Sequence, residues 1–138
     1  MLNRNDGIIV EFHDNNEKVS GRFEGAPLLL LTTTGAKSGQ PRVALMRYFD
    51  KDGTSYVIAS KGGAPTNPDW YHNLVSHPGV HVEKATDDGI ETFDATAEPI
   101  VGDERDRLFA WMVETAPGFG EYQEKTSRVI PVIALHRS

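Results

Sequence analysis

The chain of 138 residues contains no cysteine. That absence excludes disulfides, thiolate metal sites, a cysteine nucleophile and cysteine-held iron–sulfur clusters. Long apolar runs are missing as well. The longest, such as Ala26 to Leu31, fall far below the roughly 20 residues of a membrane span. The first residues carry no signal-peptide pattern, so a cytoplasmic location is expected. No Gly-x-Ser-x-Gly elbow occurs, which argues against a serine hydrolase. Cations are in the minority, 14 against 20 acidic residues for a net charge of −6. A nucleic-acid binder needs the opposite balance.

What is present points to one domain. Apolar residues make up 38% and charged residues 25%, a mixture that can pack a core at a length suited to a single unit. The charge is unevenly divided: residues 1–61 carry a net +1 and residues 62–138 a net −7. Between Ala36 and Lys61 the cations Lys37, Arg42, Arg47, Lys51 and Lys61 outnumber Asp50 and Asp52. An anionic ligand is therefore expected on the first half.

The first 25 residues are polar, with a loosely helical spacing of Ile8, Ile9, Phe12 and Val19, and a short helix is expected there. Residues 26–138 form the expected folded domain. Leu28 to Thr34 reads as a buried strand running into the turn at Gly35. Arg42 to Asp50 and Thr54 to Ser60 flank Asp52-Gly53, a strong hairpin signal, and should pair antiparallel. Asn67 before Pro68 predicts an N-cap and a short helix to about His77, ended by Pro78-Gly79. Val80 to Lys84 and Ile90 to Ile100 flank a second hairpin signal, Asp88-Gly89. Asp103-Glu104 opens a helix with an apolar face of Leu108, Phe109, Trp111, Met112, Val113 and Ala116. Pro117-Gly118 breaks it, Glu121 to Ser127 suggests a further helical turn, and Val129 to Leu135 a last buried strand. Helices that fall between hairpins, not between single strands, predict an α+β fold: a small mixed, mainly antiparallel split β-barrel with flanking helices.

Two glycine-containing loops carry the candidate chemistry. Gly35-Ala36-Lys37-Ser38-Gly39-Gln40-Pro41-Arg42 can present backbone N–H groups and two cations to an anion. It is not a Walker loop, because Ala36 stands where glycine must precede the lysine, and a solvated surface turn fits equally well. Ser60-Lys61-Gly62-Gly63-Ala64 is either a second anion loop or a flexible connector. Trp70 and Tyr71 are either core residues or a wall beside a flat ring. His77 and His81 have a zinc-like spacing, but Pro78-Gly79 destroys the helical geometry, so no metal site is expected.

Taken together, Leu30-Leu31-Thr32-Thr33-Thr34-Gly35-x-Lys37-Ser38-Gly39-x-Pro41-Arg42, then Ala59-Ser60-Lys61-Gly62-Gly63-Ala64-Pro65-x-Asn67-Pro68-x-Trp70-Tyr71-x-Asn73-Leu74, then Tyr122-Gln123 and Ile130-Pro131-Val132 resemble the deazaflavin-dependent nitroreductase family of mycobacteria and related actinobacteria. The resemblance spans residues 24–136. It implies a split barrel that binds coenzyme F420, an 8-hydroxy-5-deazaflavin with a phosphate and an oligoglutamate tail. By position Lys37, Ser38, Gly39 and Arg42 match the family's tail and phosphate contacts. Ser60, Lys61, Gly62 and Gly63 match the loop at the phosphate and deazaflavin edge, and Asn67, Pro68, Trp70 and Asn73 the segment beside the ring. Hydride transfer to a small apolar acceptor is implied, a quinone, a nitroaromatic or a coumarin-type lactone such as an aflatoxin. Tyr122, Ser60 or solvent would supply the proton. Ala116 and Phe119 stand where the nitroimidazole-activating member has tyrosines. The alternatives are an FMN-dependent split-barrel reductase or oxidase and a non-catalytic deazaflavin carrier. A monomer or homodimer without stable membrane insertion is expected. In relatives the first 25 residues can cover the substrate pocket or meet a membrane surface peripherally, and the acidic, Asn-rich run Glu11 to Glu17 speaks against the latter.

Overall fold

The computed structural model describes residues 27–86 and 89–138; the helix expected in the first 25 residues lies outside them. Seven strands follow one another as β1 (Leu28–Thr34), β2 (Pro41–Arg47), β3 (Phe49–Lys51), β4 (Thr54–Ile58), β5 (Gly79–Thr86), β6 (Gly89–Ile100) and β7 (Val132–Arg137). They form one sheet in the order β2-β1-β5-β6-β7-β4-β3, and every pairing is antiparallel. Helices α1 (Asp69–Ser76), α2 (Gly102–Thr115) and α3 (Gly118–Glu124) flank it. The result is the mainly antiparallel split barrel the sequence predicts.

β1 falls where its four leucines require. Leu28 to Leu31 are all at most 1% exposed, which demands cover on both faces of the strand, and the following β-branched threonines favour the pleated backbone. Inside the curl, Leu29, Leu31, Val57, Val82, Ala95, Ile133 and Leu135 pack with Leu74 of α1. On the outer side, Leu108, Phe109 and Met112 of α2 cover Phe49, Ile58 and Val132. Burying side chains of this size contributes about 1.5–3 kcal/mol each.

The segment expected as one strand from Arg42 to Asp50 is divided. Its first part pairs with β1, Tyr48 ends that ladder by donating its N–H to Pro27 O at 3.1 Å, and only β3 pairs with β4. Burial of Tyr48, whose hydroxyl donates to Ala85 O at 2.6 Å, turns the chain from one neighbour to the next. That exchange bends the sheet. Lys84 of β5 then reaches Asp50 at 2.8 Å and Ser55 Oγ at 3.1 Å, tying β5 to β3 and β4 across the curl.

Asp52 and Gly53 both have positive φ, 53° and 83°, as a two-residue type I′ hairpin requires. The second hairpin pairs Thr86 with Gly89, so its two loop residues are 87 and 88, one position earlier than Asp88-Gly89, and lie outside the described residues. α3 starts at Gly118 instead of Glu121, and the last strand starts at Val132, since Pro131 has no N–H for a ladder. Among the described residues no helix is long and apolar enough to cross a membrane.

Candidate functional site

The turn between β1 and β2 is held in a defined shape. Gly35 N–H donates to Gln40 O at 2.8 Å and Gly39 N–H to Gly35 O at 2.9 Å, while Gln40 N–H donates to Ser38 Oγ at 3.2 Å. A Cβ on Gly35 would stand 2.5 Å from Ser38 Oγ and 3.2 Å from Gln40 O, so a larger residue there would force Ser38 to turn away and press on the backbone that closes the turn. Asn73 of α1 braces it from beneath. Its Oδ1 accepts from Ala36 N–H at 2.9 Å and its Nδ2 donates to Thr33 Oγ1 at 3.1 Å. Lys37, Ser38 and Gly39 are thereby presented to solvent on a fixed backbone, and Arg42, opposite Thr33 in the ladder, is exposed beside them.

The second loop is fixed from the other end of the chain. Arg128 donates from Nε to Ala64 O at 2.9 Å, from one terminal nitrogen to Asn67 Oδ1 at 2.6 Å and Ala59 O at 3.3 Å, and from the other to Ser60 O at 2.8 Å. A single planar fork thus spans the loop from Ala59 to Asn67. Burial lowers the pKa of this guanidinium, and the acceptors around it offset the loss of water. Lys61 to Gly63 form a 3-10 turn in which Lys61 has φ 47° and Gly63 φ 86°. A Cβ on Gly63 would meet Tyr122 O at 2.8 Å. The glycine is what lets the loop lie against α3.

Asn67 was expected to cap α1, but the cap position belongs to Pro68 and no side chain caps the helix. The charged Arg128 donor holds the Asn67 oxygen instead, a stronger bond than a neutral backbone N–H would give. Asn73, expected beside a bound ring, has both amide atoms engaged by Thr33 and Ala36. Trp70 is half-buried and packs on the interior cluster.

The two loops meet through α1, not through neighbouring strands. β1 and β4 are separated in the sheet by β5, β6 and β7, but one loop feeds directly into α1 and the other is bonded to Asn73 on that helix. Across the opening of the curl β2 approaches β4. Among the described residues Lys37, Arg42 and Lys61 pair with no carboxylate; the contacts of the latter two are Arg42 to Pro41 O at 3.5 Å and Lys61 Nζ to Thr66 Oγ1 at 3.3 Å. The open groove of about 370 Å³ that includes Thr34, Gly39, Pro41, His81 and Asp94 contains no other candidate residue than Gly39.

Beyond the glycine loop lies an aromatic cluster. Tyr122 meets Phe119 edge-on at 5.7 Å, Phe119 meets Phe49 at 5.8 Å, and Phe49 meets Trp111 at 6.1 Å. Burial, with Glu104, Asp52 and Glu98 adding negative charge, raises the pKa of the nearby Tyr56. Arg105 and Arg128, which the sequence did not single out, hold this side together with Gln123 of the Tyr122-Gln123 motif. Buried Arg105 donates to Ile130 O at 2.8 Å and to Gln123 Oε1 at 2.8 Å, and Gln123 Nε2 donates to Arg128 O at 2.7 Å. Among the described residues no cluster of His, Asp or Glu could hold a metal ion.

A family model described as F420H(2)-dependent quinone reductase matches residues 8–137. The F420H(2)-dependent quinone reductase Rv1261c of Mycobacterium tuberculosis is 39% identical over 147 aligned positions, covering 99% of this chain and 95% of that protein. A solved F420-H2-dependent reductase, FDR-A, superposes with a TM-score of 0.69 at 40% identity, over 80% of this chain and 94% of that one. A structure described as a domain-swapped dimer superposes at 0.70 with 33% identity, over 97% and 100% of the two chains.

Proposed function

The chain belongs to the F420H(2)-dependent quinone reductase family and is an F420-dependent oxidoreductase; from that premise we propose which of its residues hold the coenzyme and the acceptor. The chemistry of the exposed groups fits a strongly anionic coenzyme. Among the described residues Lys37 and Lys61, on two braced loops, and Arg42, at the start of β2, have no carboxylate partner in a chain whose net charge is −6. That observation carries the reading. Lys37 and Arg42, with the Ser38 and Gly39 backbone, take the tail and phosphate; Ser60, Lys61, Gly62 and Gly63 take the phosphate and the deazaflavin edge. Pro68 and Trp70 lie along the ring. Asn67 and Asn73 serve through the loops they fix, since their amides already bond Arg128, Ala36 and Thr33.

When bound, the reduced coenzyme supplies a hydride. The protein's own tasks are to hold a flat acceptor within about 3–3.5 Å of the donor carbon, to exclude water and to deliver a proton. Phe119 and Tyr122 form the apolar wall, and the Tyr122 or Ser60 hydroxyl hands a proton to the reduced acceptor. A quinone is the acceptor class that the relatives' names support. The coenzyme-binding unit is residues 26–138, and the protein acts in the cytoplasm as a monomer or homodimer. Fluorescence titration with F420, followed by reduced-F420 assays over quinones, nitroaromatics and coumarin lactones, tests the reading. Tight binding with quinone turnover is expected, and binding without reduction of any acceptor would select the carrier alternative.

A further inference from the structure

Arg47 holds an unmatched donor. It ends β2 opposite Leu28, and its Nε is buried with no hydrogen-bond acceptor among the described residues. Buried donors in folded proteins are almost always matched, and Arg47 as a whole is only half-buried, so the rest of its guanidinium can meet an acceptor that a ligand supplies. Its position adds to that. Across the opening of the curl β2 approaches β4, the strand whose end at Ile58 lies two residues before Ser60. The guanidinium carbon lies 5.1 Å from the centre of the Phe49 ring, and Phe49 touches Phe119, which touches Tyr122. Arg47 therefore borders the same aromatic cluster as Tyr122.

We propose that Arg47 recognises the oxygen of the acceptor, donating N–H bonds to a quinone carbonyl or to the ionised hydroxyl of a hydroxyquinone; this rests on the quinone reductase reading above. A guanidinium directs all its donors outward in its own plane, so contact with Phe49 leaves that edge usable by a flat, oxygen-rimmed ligand. During reduction the quinone gains two electrons and one proton as a hydride, and negative charge collects on the oxygen. Arg47 keeps its protons and stabilises that charge, more in the transition state than in the ground state. The second proton of the quinol comes from Tyr122 or water.

Arg47→Met and Arg47→Lys, each checked by circular dichroism and melting, test the proposal. With the protein saturated in oxidised F420, titration with ionised 2-hydroxy-1,4-naphthoquinone and with neutral 1,4-naphthoquinone should show the wild type preferring the anion at least fivefold, and R47M showing no preference. In turnover R47M should lose at least tenfold in kcat/KM for quinones, R47K less, with F420 affinity within twofold of wild type. Should R47M fail to fold, R47K carries the test with a threefold loss. Anion preference retained in a folded variant, kcat/KM within twofold of wild type, or an equal loss of F420 affinity would each overturn the assignment. A wild type that reduces no quinone defeats the family-based reading first, and the binding arm still decides on Arg47.

Discussion

Lys37 and Arg42 are exposed cations, and each is expected to contribute modestly on its own. A solvent-exposed charge contact is worth about 0–1 kcal/mol, and a charge-assisted bond in a partly shielded site about 1.5–3 kcal/mol. Lys37→Ala and Arg42→Ala should each raise the F420 dissociation constant about tenfold, since about 1.4 kcal/mol is a factor of ten, with unchanged melting temperature. Fluorescence titration in low salt measures it, and wild-type affinity in both variants would remove them from the site. Tyr122→Phe separates proton delivery from binding: turnover should fall by at least tenfold while F420 affinity stays within twofold. Equal turnover would assign the proton to Ser60 or to solvent. Lys37 stands out in the sequence because a lysine between glycines is an unusual local pattern, whereas Tyr122 is singled out only by the family resemblance. Arg128 and Arg47 are not. Nothing local distinguishes a lone arginine before a strand from a surface cation, and the partners of Arg128 lie 61 to 69 residues away.

At the scale of elements the site depends on braces. Asn73 ties α1 to the β1–β2 turn, Arg128 ties the segment before β7 to the glycine loop, and Gly63 lets that loop lie on α3. Arg128→Met removes the fork from Ala59, Ser60, Ala64 and Asn67, leaving several acceptors unmatched at about 1–3 kcal/mol for a well-buried group. The melting temperature should drop by about 5–10 °C, at roughly 3 °C per kcal/mol for a chain of this size, and F420 affinity should fall at least tenfold although Arg128 touches no coenzyme. Loss of affinity with an unchanged melting curve would make Arg128 a direct ligand instead. Sequence patterning found the strands and helices themselves, down to the bounds of β1 and the Asp52-Gly53 hairpin. It missed the change of partner at Tyr48, because a run of β-forming residues does not say which neighbour each half will choose. It also gave Asn67 to the helix cap, since local rules contain no Arg128 to compete for the same oxygen.

The whole molecule reconciles an acidic chain with an anionic coenzyme. Nine acidic groups against two basic ones lie between Glu83 and Asp106, and seven of the nine stand in β5, β6 and the start of α2. Within β6 part of that acidity already has partners on neighbouring strands: Arg137 pairs with Glu91, and the rings of His81 and His136 hydrogen-bond Asp94 at 2.9 Å and Glu98 at 2.8 Å. The cations of the two loops remain unpaired among the described residues, on the side where α1 gathers them. In the function proposed above the acceptor binds against the coenzyme itself. The most direct measurement is single-turnover oxidation of reduced F420 by a simple naphthoquinone, with reduced FMN and NADPH as rival donors. Rapid quinol formation with reduced F420 alone is the predicted result. Equal or faster reduction with FMN, or none with F420, would contradict the central claim.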